Sequence, residues 1–254
     1  MGSRASGVGQ GSATPGGEPM TYSDVRNLSH PLSAEVVSVF PGDPAPRIDT
    51  IATLDDHGFH LQAVTVGEHT GTHWGAPAHF TAGAATADRL DPGDFVLPGV
   101  RIDISARAEY DRDCAVTVDD LLEWQQRRGP FPAEAAVLLR TGWERYWGTD
   151  EFASVDAQGR MHHPGFSVAA VHWLLDHGVL GRRGALGTDA FSPDIGTDDS
   201  YQVSKLLYRE HRLSLEILAH LADLPDRDFT VVVGGFVTEG GSGSPASIYA
   251  LIGS

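Results

Sequence analysis

The chain has 254 residues, 41% of them hydrophobic, and a formal net charge of −16, so it can build a sizeable core beneath an acidic surface. Such a surface repels phosphate backbones and anionic lipid headgroups, and we expect neither nucleic acid nor a membrane as a partner. A lone cysteine excludes an intrachain disulfide, and the lack of a visible secretory signal or long apolar run predicts a cytoplasmic protein.

The first segment, residues 1–19, is rich in Gly, Ser and Pro and poor in large apolar side chains. It cannot bury enough surface to offset its ordering entropy, so we predict a disordered leader before one domain at 20–254. Short β-type runs then alternate with a few helical segments. The hydrophobic pattern predicts strands at 36–40, 59–66, 136–140, 186–187, 229–233 and 247–252.

Two helices are predicted between these strands. Thr117 is a suitable N-cap with Asp120 three residues on, so a helix should run to Arg128 with its apolar face on the core. That face comprises Leu121, Leu122 and Trp124. A second amphipathic helix is predicted at 167–177. The mixed order of elements favours a single α/β or α+β domain.

The most informative stretch is 67–80, GEHTGTHWGAPAHF, which places His69, His73 and His79 within eleven residues. Gly71 lies between the first two histidines and favours a turn over a helix. Imidazoles brought together by a turn can bind a metal or exchange protons near neutral pH. Hydrogen-bonded surface histidines are the alternative interpretation.

This stretch resembles the signature HxGTHxDxPxHF of the cyclase family, which includes bacterial kynurenine formamidases, isatin hydrolases and some aromatic-polyketide cyclases. The resemblance spans residues 24–251 and implies an α/β fold, a single swivelling-type β/β/α domain with a mixed sheet, assembled as a homo-oligomer. Further matching segments are NLSHPL at 27–32, FPGDP at 40–44, LRTGW at 139–143, GTD at 187–189, Ser192 with Asp194, and GGSGSP at 240–245.

Two positions depart from the family pattern. The family has a metal-bridging or metal-ligating Asp where this chain has Gly75, and a ligating His twelve residues before a ligating Glu. Glu216 matches that Glu, but position 204 is Ser204. We therefore expect no cofactor, with a divalent zinc or manganese ion only if His69, His73 and Glu216 suffice to hold it.

The resemblance implies that His79 is the acid/base group, with His73 and Glu216 as catalytic partners. Asp189 and Asp194 should lie near the active site, with turn capping as the alternative for each. His220 would share a helical face with Glu216 if the stretch 204–216 were helical. Substrate contacts are predicted for His69, Trp74, Ser204, Asp189, Phe191 and His163, with Phe80 as a further apolar wall.

Three functions remain open for a small-molecule substrate. The first is a cyclase or lyase acting on an aromatic or polyketide-type intermediate of antibiotic or other secondary metabolism, by metal-free His/Glu acid–base catalysis. The second is a metal-dependent amidohydrolase, such as an arylformamidase or a cyclic-imide hydrolase. The third is a binding relative of the family without turnover.

Overall fold

A computed structural model describes residues 21–35 and 40–253, so the predicted leader and positions 36–39 of the first predicted strand lie outside it. The described strands are β1 (Tyr22–Asn27), β2 (Arg47–Ala52), β3 (Leu61–Thr65), β4 (His73–Gly75), β5 (Val96–Asp103), β6 (Ala115–Val116), β7 (Ala136–Arg140), β8 (Gly165–Phe166), β9 (Ala185–Thr188), β10 (Leu213–Glu216), β11 (Phe229–Val233), β12 (Gly243–Pro245) and β13 (Ile248–Gly253). The α-helices are α1 (Leu54–His57), α2 (Ser105–Ala108), α3 (Val118–Arg128), α4 (Val168–Asp176) and α5 (Gln202–Leu207).

One mixed sheet organises the fold, with the strand order β1-β13-β11-β5-β7-β9-β10-β4-β12. Strands β5, β7, β9 and β10 run parallel at its centre. The strands on both sides of this centre pair antiparallel. The predicted α/β class with a mixed sheet is confirmed.

Helices α3 and α4 match the predicted segments. Thr117 caps α3, because its hydroxyl accepts from the Asp120 N–H while the Asp120 carboxylate accepts from the Thr117 N–H. Leu121 and Trp124 are buried, three residues apart on one face. The prediction that Leu122 faces the core is wrong, because it lies off that stripe and is 46% exposed.

The core lies on both faces of the sheet. Within β7, Val137 and Leu139 belong to a cluster formed with the helices, whereas Ala136 and Leu138 belong to a cluster on the opposite face. Alternate side chains of a strand point to opposite faces, so a strand covered on both faces reads as a continuous apolar run. This explains why the AVLLR segment is apolar throughout.

Strands β2 and β3 pair antiparallel with each other in a separate two-stranded ribbon. Strand β3 is exposed along its whole length, although the segment was rightly predicted to be a strand. The ribbon and its connection expose five large apolar side chains: Ile51, Leu54, Phe59, Leu61 and Val64. None of the described helices is long and apolar enough to cross a membrane.

Candidate active site

The histidine-rich stretch folds as a turn that enters strand β4, as predicted. Gly71 adopts a left-handed conformation with φ +63°, which glycine tolerates without strain. The Thr72 hydroxyl anchors the turn by donating to the Ile217 carbonyl at 2.6 Å, just beyond β10. The turn therefore delivers His73 to the start of β4, beside the end of β10.

His73 and Glu216 form the centre of the site. The His73 ring places Nδ1 at 2.8 Å from the Gly71 carbonyl, so Nδ1 carries a proton and donates it. Nε2 then lies 3.3 Å from Glu216 Oε2, in an oblique approach without a well-aligned hydrogen bond. Two bare acceptors would repel at this distance, so the contact is attractive only when a proton or another cation lies between them.

The electrostatics of Glu216 agree with an ion pair. Burial alone raises the pKa of this carboxyl, but the proximity of His73, Ser214 and His69 outweighs burial and lowers the pKa below its ordinary value. Glu216 is therefore an anion at neutral pH, and its side chain is only 13% exposed. The site presents one fixed carboxylate beside one imidazole.

His69 and His79 stack on each other, with ring centroids 3.8 Å apart. His69 Nε2 lies 3.0 Å from Ser242 Oγ, and Ser242 donates its own proton to Glu68 at 2.8 Å. Ser242 must then accept from His69, which puts the His69 proton on Nε2. Burial, followed by the proximity of His73 and His79, lowers the pKa of His69 to about 3, so this ring is neutral.

His79 is the solvent-facing member of the cluster, on the 3-10 turn Pro77–His79. Its ring packs between His69 and Phe80 although the residue as a whole is exposed. Partial burial lowers its pKa, against an opposing effect of the Glu216 charge. A neutral imidazole at the mouth of the site is suited to accept a proton from a bound molecule.

These groups open into a cleft of about 260 Å³ with an aromatic wall. Phe40 meets Phe191 edge-to-face at 6.0 Å, and Phe80 packs against Tyr201 at 5.0 Å. Aromatic walls around a few convergent polar groups favour a small, flat ligand. The cleft is lined by Phe40, Asp43, His69, His73, His79, Phe80, Phe191, Ser192, Tyr201 and Glu216.

A larger cleft of about 590 Å³ lies behind the signature turn. Its walls include His30, Leu32, Thr70 and Phe236, and none of the three signature histidines. The smaller cleft is the better candidate site, because several titratable groups with perturbed pKa values converge there.

The residual ligand set does not fit a three-ligand metal centre as its side chains stand. Across residues 21–35 and 40–253, the one group of three His, Asp or Glu side chains with ligand atoms within 4.8 Å of one another is Asp91, Asp94 and His211. That group lies outside the cleft, and Arg182 already donates to Asp91 at 2.8 Å there.

Position 75 adds a steric reason. A Cβ on Gly75 would overlap the Tyr208 hydroxyl and lie 2.7 Å from Ser214 Oγ. The space into which a ligand side chain at this position would extend is therefore already filled by two hydroxyl groups. Only His69, His73 and Glu216 of the expected ligands remain in the cleft.

Six predicted site residues line the cleft together: His69, His73, His79, Phe80, Phe191 and Glu216. Trp74 does not, because it follows His73 in β4 and so points to the opposite face, where it packs at 5.1 Å against Phe95. The prediction that Trp74 contacts substrate is corrected accordingly.

Ser204 and Asp189 serve the framework rather than the cleft, which corrects two further predictions. Ser204 is buried and donates to the Asp194 carboxylate at 2.5 Å. Asp189 accepts from the Thr141 N–H and hydroxyl at 2.8 and 2.7 Å and from the Trp143 N–H at 3.0 Å. These bonds fix the turn after β7, and burial raises the pKa of Asp189 to about 6.

His163 lies one layer behind the aromatic wall. It lines an adjoining cavity of about 240 Å³ that shares Phe40, Ser192 and Tyr201 with the main cleft. His220 does not share a face with Glu216, because 213–216 is a strand and not part of a helix. His220 is instead an exposed residue in a left-handed turn with φ +57°.

Several residues that shape the site have no role predicted from the sequence. Phe40 and Asp43 come from the FPGDP segment, which gave a family match but no chemical signal. Tyr201 reaches the cleft because it adopts a left-handed conformation before α5, with φ +52°. Long-range packing positions these side chains, so the pattern of neighbouring residues in the sequence does not predict where they lie.

Comparisons with known proteins agree with this architecture. A profile described as "Putative cyclase" matches residues 26–195. The isatin hydrolase of Roseibium aggregatum is 30% identical over 217 residues, covering 82% of each chain. The kynurenine formamidase of Bacillus cytotoxicus is 33% identical over 88 residues, which is 34% of this chain and 42% of that one.

A solved structure shows the same fold. Isatin hydrolase A from Ralstonia solanacearum superposes with a TM-score of 0.82 at 32% identity. The superposition covers 90% of this chain and 92% of that one. The similarity thus extends over the sheet, the helices and the signature turn together.

Proposed function

We propose that this chain, which belongs to the cyclase family, is a hydrolase that opens the ring amide of a small, flat aromatic lactam. The family membership rests on the match over residues 26–195 and on the likeness to isatin hydrolase over 82% of both chains. Isatin, a planar bicyclic keto-lactam, is the natural first probe of this class. The aromatic cleft around His79 is the observation that carries the proposal.

The chemistry uses groups of the chain itself. Neutral His79 takes a proton from water as the water oxygen attacks the ring carbonyl. His73, which lies 3.3 Å from the Glu216 carboxylate, faces the same cleft and stabilises the oxyanion that forms. The C–N bond then breaks, His79 returns the proton to the leaving nitrogen, and the products are an arylamine and a carboxylic acid, which releases its proton to solvent and becomes a carboxylate.

Each of the other histidines has a supporting role in this scheme. His69 stays neutral and is held by Ser242, so it can share a hydrogen bond with the substrate without adding charge. It also backs the His79 ring by stacking on it at 3.8 Å. Phe40, Phe80 and Phe191 exclude water from the faces of a flat ring.

The test is ring opening of isatin, followed by mass spectrometry of the product. Wild-type protein should convert it, and His79→Ala should lower kcat/KM by roughly 10²–10⁴-fold because the proton acceptor is lost. His172→Ala is the matched control, since His172 is exposed on α4 away from the cleft. Wild-type protein without turnover, or equal rates for wild type and His79→Ala, would sink the proposal.

A second candidate is a cyclase or lyase that acts on an aromatic or polyketide-type intermediate without a metal. The occupied space beside Gly75 favours it, since ring closure and dehydration need proton transfer rather than metal-activated water. Conversion of a linear polyketone probe, together with inert isatin, would select this candidate over the hydrolase.

We also propose that the protein assembles as a homo-oligomer. The β2–β3 ribbon and its connection support this, because Phe59 is exposed in the connection and Leu61 and Val64 are exposed in β3, which is exposed along its whole length. Several large apolar side chains exposed on one short ribbon are typical of a protein–protein contact.

A further inference from the structure

Two buried hydroxyl groups fill the space beside Gly75. Tyr208 follows helix α5, is fully buried and donates from Oη to Ser214 Oγ at 2.7 Å. Because a Cβ on Gly75 would overlap the Tyr208 hydroxyl, only glycine at this position is compatible with the pair. The Tyr208–Ser214 pair can therefore occupy this space only because residue 75 is a glycine.

The strand register places Ser214 of this pair on the same face of the sheet as Glu216. In the β4–β10 ladder, Ser214 is the partner of Gly75 and Glu216 is the partner of His73. Ser214 and Glu216 are two residues apart in one strand, so their side chains point to the same face. Tyr208, Ser214 and Glu216 thus form one line that ends at His73.

Tyr208 is the donor in its hydrogen bond with Ser214. Burial, followed by the Glu216 charge, raises the pKa of Tyr208 well above its ordinary value, so the phenol keeps its proton. Tyr208 donates that proton to Ser214, which leaves the Ser214 proton free. Ser214 shares a strand face with Glu216, so this proton can turn toward the Glu216 carboxylate, and Ser214 is among the groups that lower the pKa of Glu216.

We propose that Tyr208 and Ser214 are positioning residues that orient the Glu216 carboxylate toward His73. Glu216 lies on the same strand face as Ser214, which accepts from Tyr208 at 2.7 Å, and it meets His73 at 3.3 Å. His73 is itself fixed through Nδ1 at the Gly71 carbonyl. Neither hydroxyl lines the cleft, so the pair acts through Glu216 and not on the substrate.

The test compares Tyr208→Phe, Ser214→Ala and the double variant in lactam opening, and in this respect it rests on the proposed function. Each single change should lower kcat by roughly 10–100-fold, as loss of an orienting outer hydrogen bond does. KM should stay within about threefold, because no substrate contact is lost. The double variant should be no slower than either single one, because both hydroxyls act through the same carboxylate.

Tyr249→Phe is the control, since Tyr249 lies on β13, outside the cleft. Three results would overturn the proposal. They are an unchanged kcat in Tyr208→Phe, losses of kcat that multiply in the double variant, and a KM that rises in step with the fall in kcat. Thermal unfolding of each variant separates a loss of orientation from a loss of fold.

A readout without turnover separates this inference from the proposed function. The imidazole ¹⁵N resonances of His73 should shift in both Tyr208→Phe and Ser214→Ala at fixed pH, because the paired carboxylate moves. Wild-type protein that opens no lactam, with these shifts present, would reject the function and keep the positioning role. Resonances identical to wild type in both variants would reject the positioning role.

Discussion

His73 and Glu216 are direct register partners across the antiparallel strands β4 and β10, and their side chains meet at 3.3 Å. The sheet therefore fixes the pair more firmly than a loop would. The other two histidines reach the same cleft from the segments on either side of β4. The reactivity proposed for the cleft depends on this division between the His73–Glu216 pair and two neutral rings.

The side chains of His73 and Glu216 should be energetically coupled. Glu216→Gln removes the charge and should lower the free energy of unfolding by about 1–3 kcal/mol, the usual cost of losing a partner of a buried charged group. A double-mutant cycle with His73→Gln should give a coupling energy of about 0.5–3 kcal/mol from urea unfolding. Strictly additive single effects would show that the two side chains do not interact.

The pH dependence of kcat/KM should follow His79. Partial burial lowers its pKa below 6.5, the ordinary value for histidine, and the neutral form is the active base. Activity should therefore persist as pH falls through 6.5 and be lost only at a lower pH, when His79 becomes protonated. A pH–rate profile checks this, and an acid limb centred at or above pH 6.5 would contradict it.

Ser204 should matter for stability and not for catalysis. Ser204→Ala removes a buried donor to the Asp194 carboxylate and should lower the free energy of unfolding by about 1–2 kcal/mol. Lactam opening should remain within about twofold of wild type, since no substrate contact changes. Exposed Ser23 provides the control substitution Ser23→Ala. A stable Ser204→Ala variant with a raised KM would restore the role predicted from sequence.

The exposed β2–β3 ribbon should carry the oligomer contact. Phe59→Asp places a charge in its apolar surface and should reduce the molar mass in solution toward that of one chain, measured by light scattering. Tyr110→Asp is a matched control, since Tyr110 is 91% exposed outside the ribbon. An unchanged mass distribution in Phe59→Asp would remove the ribbon as the contact.

Local pattern was sufficient where one segment decides the structure. The capping residues of α3, the apolar run of β7 and the turn at Gly71 each carry their cause in neighbouring residues. The histidine cluster was also predictable, because its three members lie within eleven residues. These features needed no knowledge of distant contacts.

Pattern failed where tertiary contacts decide. Ser204 lies twelve residues before Glu216, at the family's ligand position, but its hydroxyl donates to the Asp194 carboxylate and not into the cleft. The position of Trp74 next to His73 predicts a cleft residue, but successive side chains of a strand point to opposite faces, so Trp74 lies in the core on the other face. The role of Tyr208 depends on its approach to Gly75, which no local spacing encodes.

The central claim is that the cleft works with its own side chains, and the metal content of active protein tests it most directly. Protein purified without chelator should contain far less than one zinc or manganese ion per chain by elemental mass spectrometry, since among the described residues no three ligand side chains converge in the cleft. Lactam opening should be unchanged after treatment with a chelator. About one ion per chain, with activity lost on chelation and restored by the metal, would contradict the claim and return the site to metal-dependent hydrolysis.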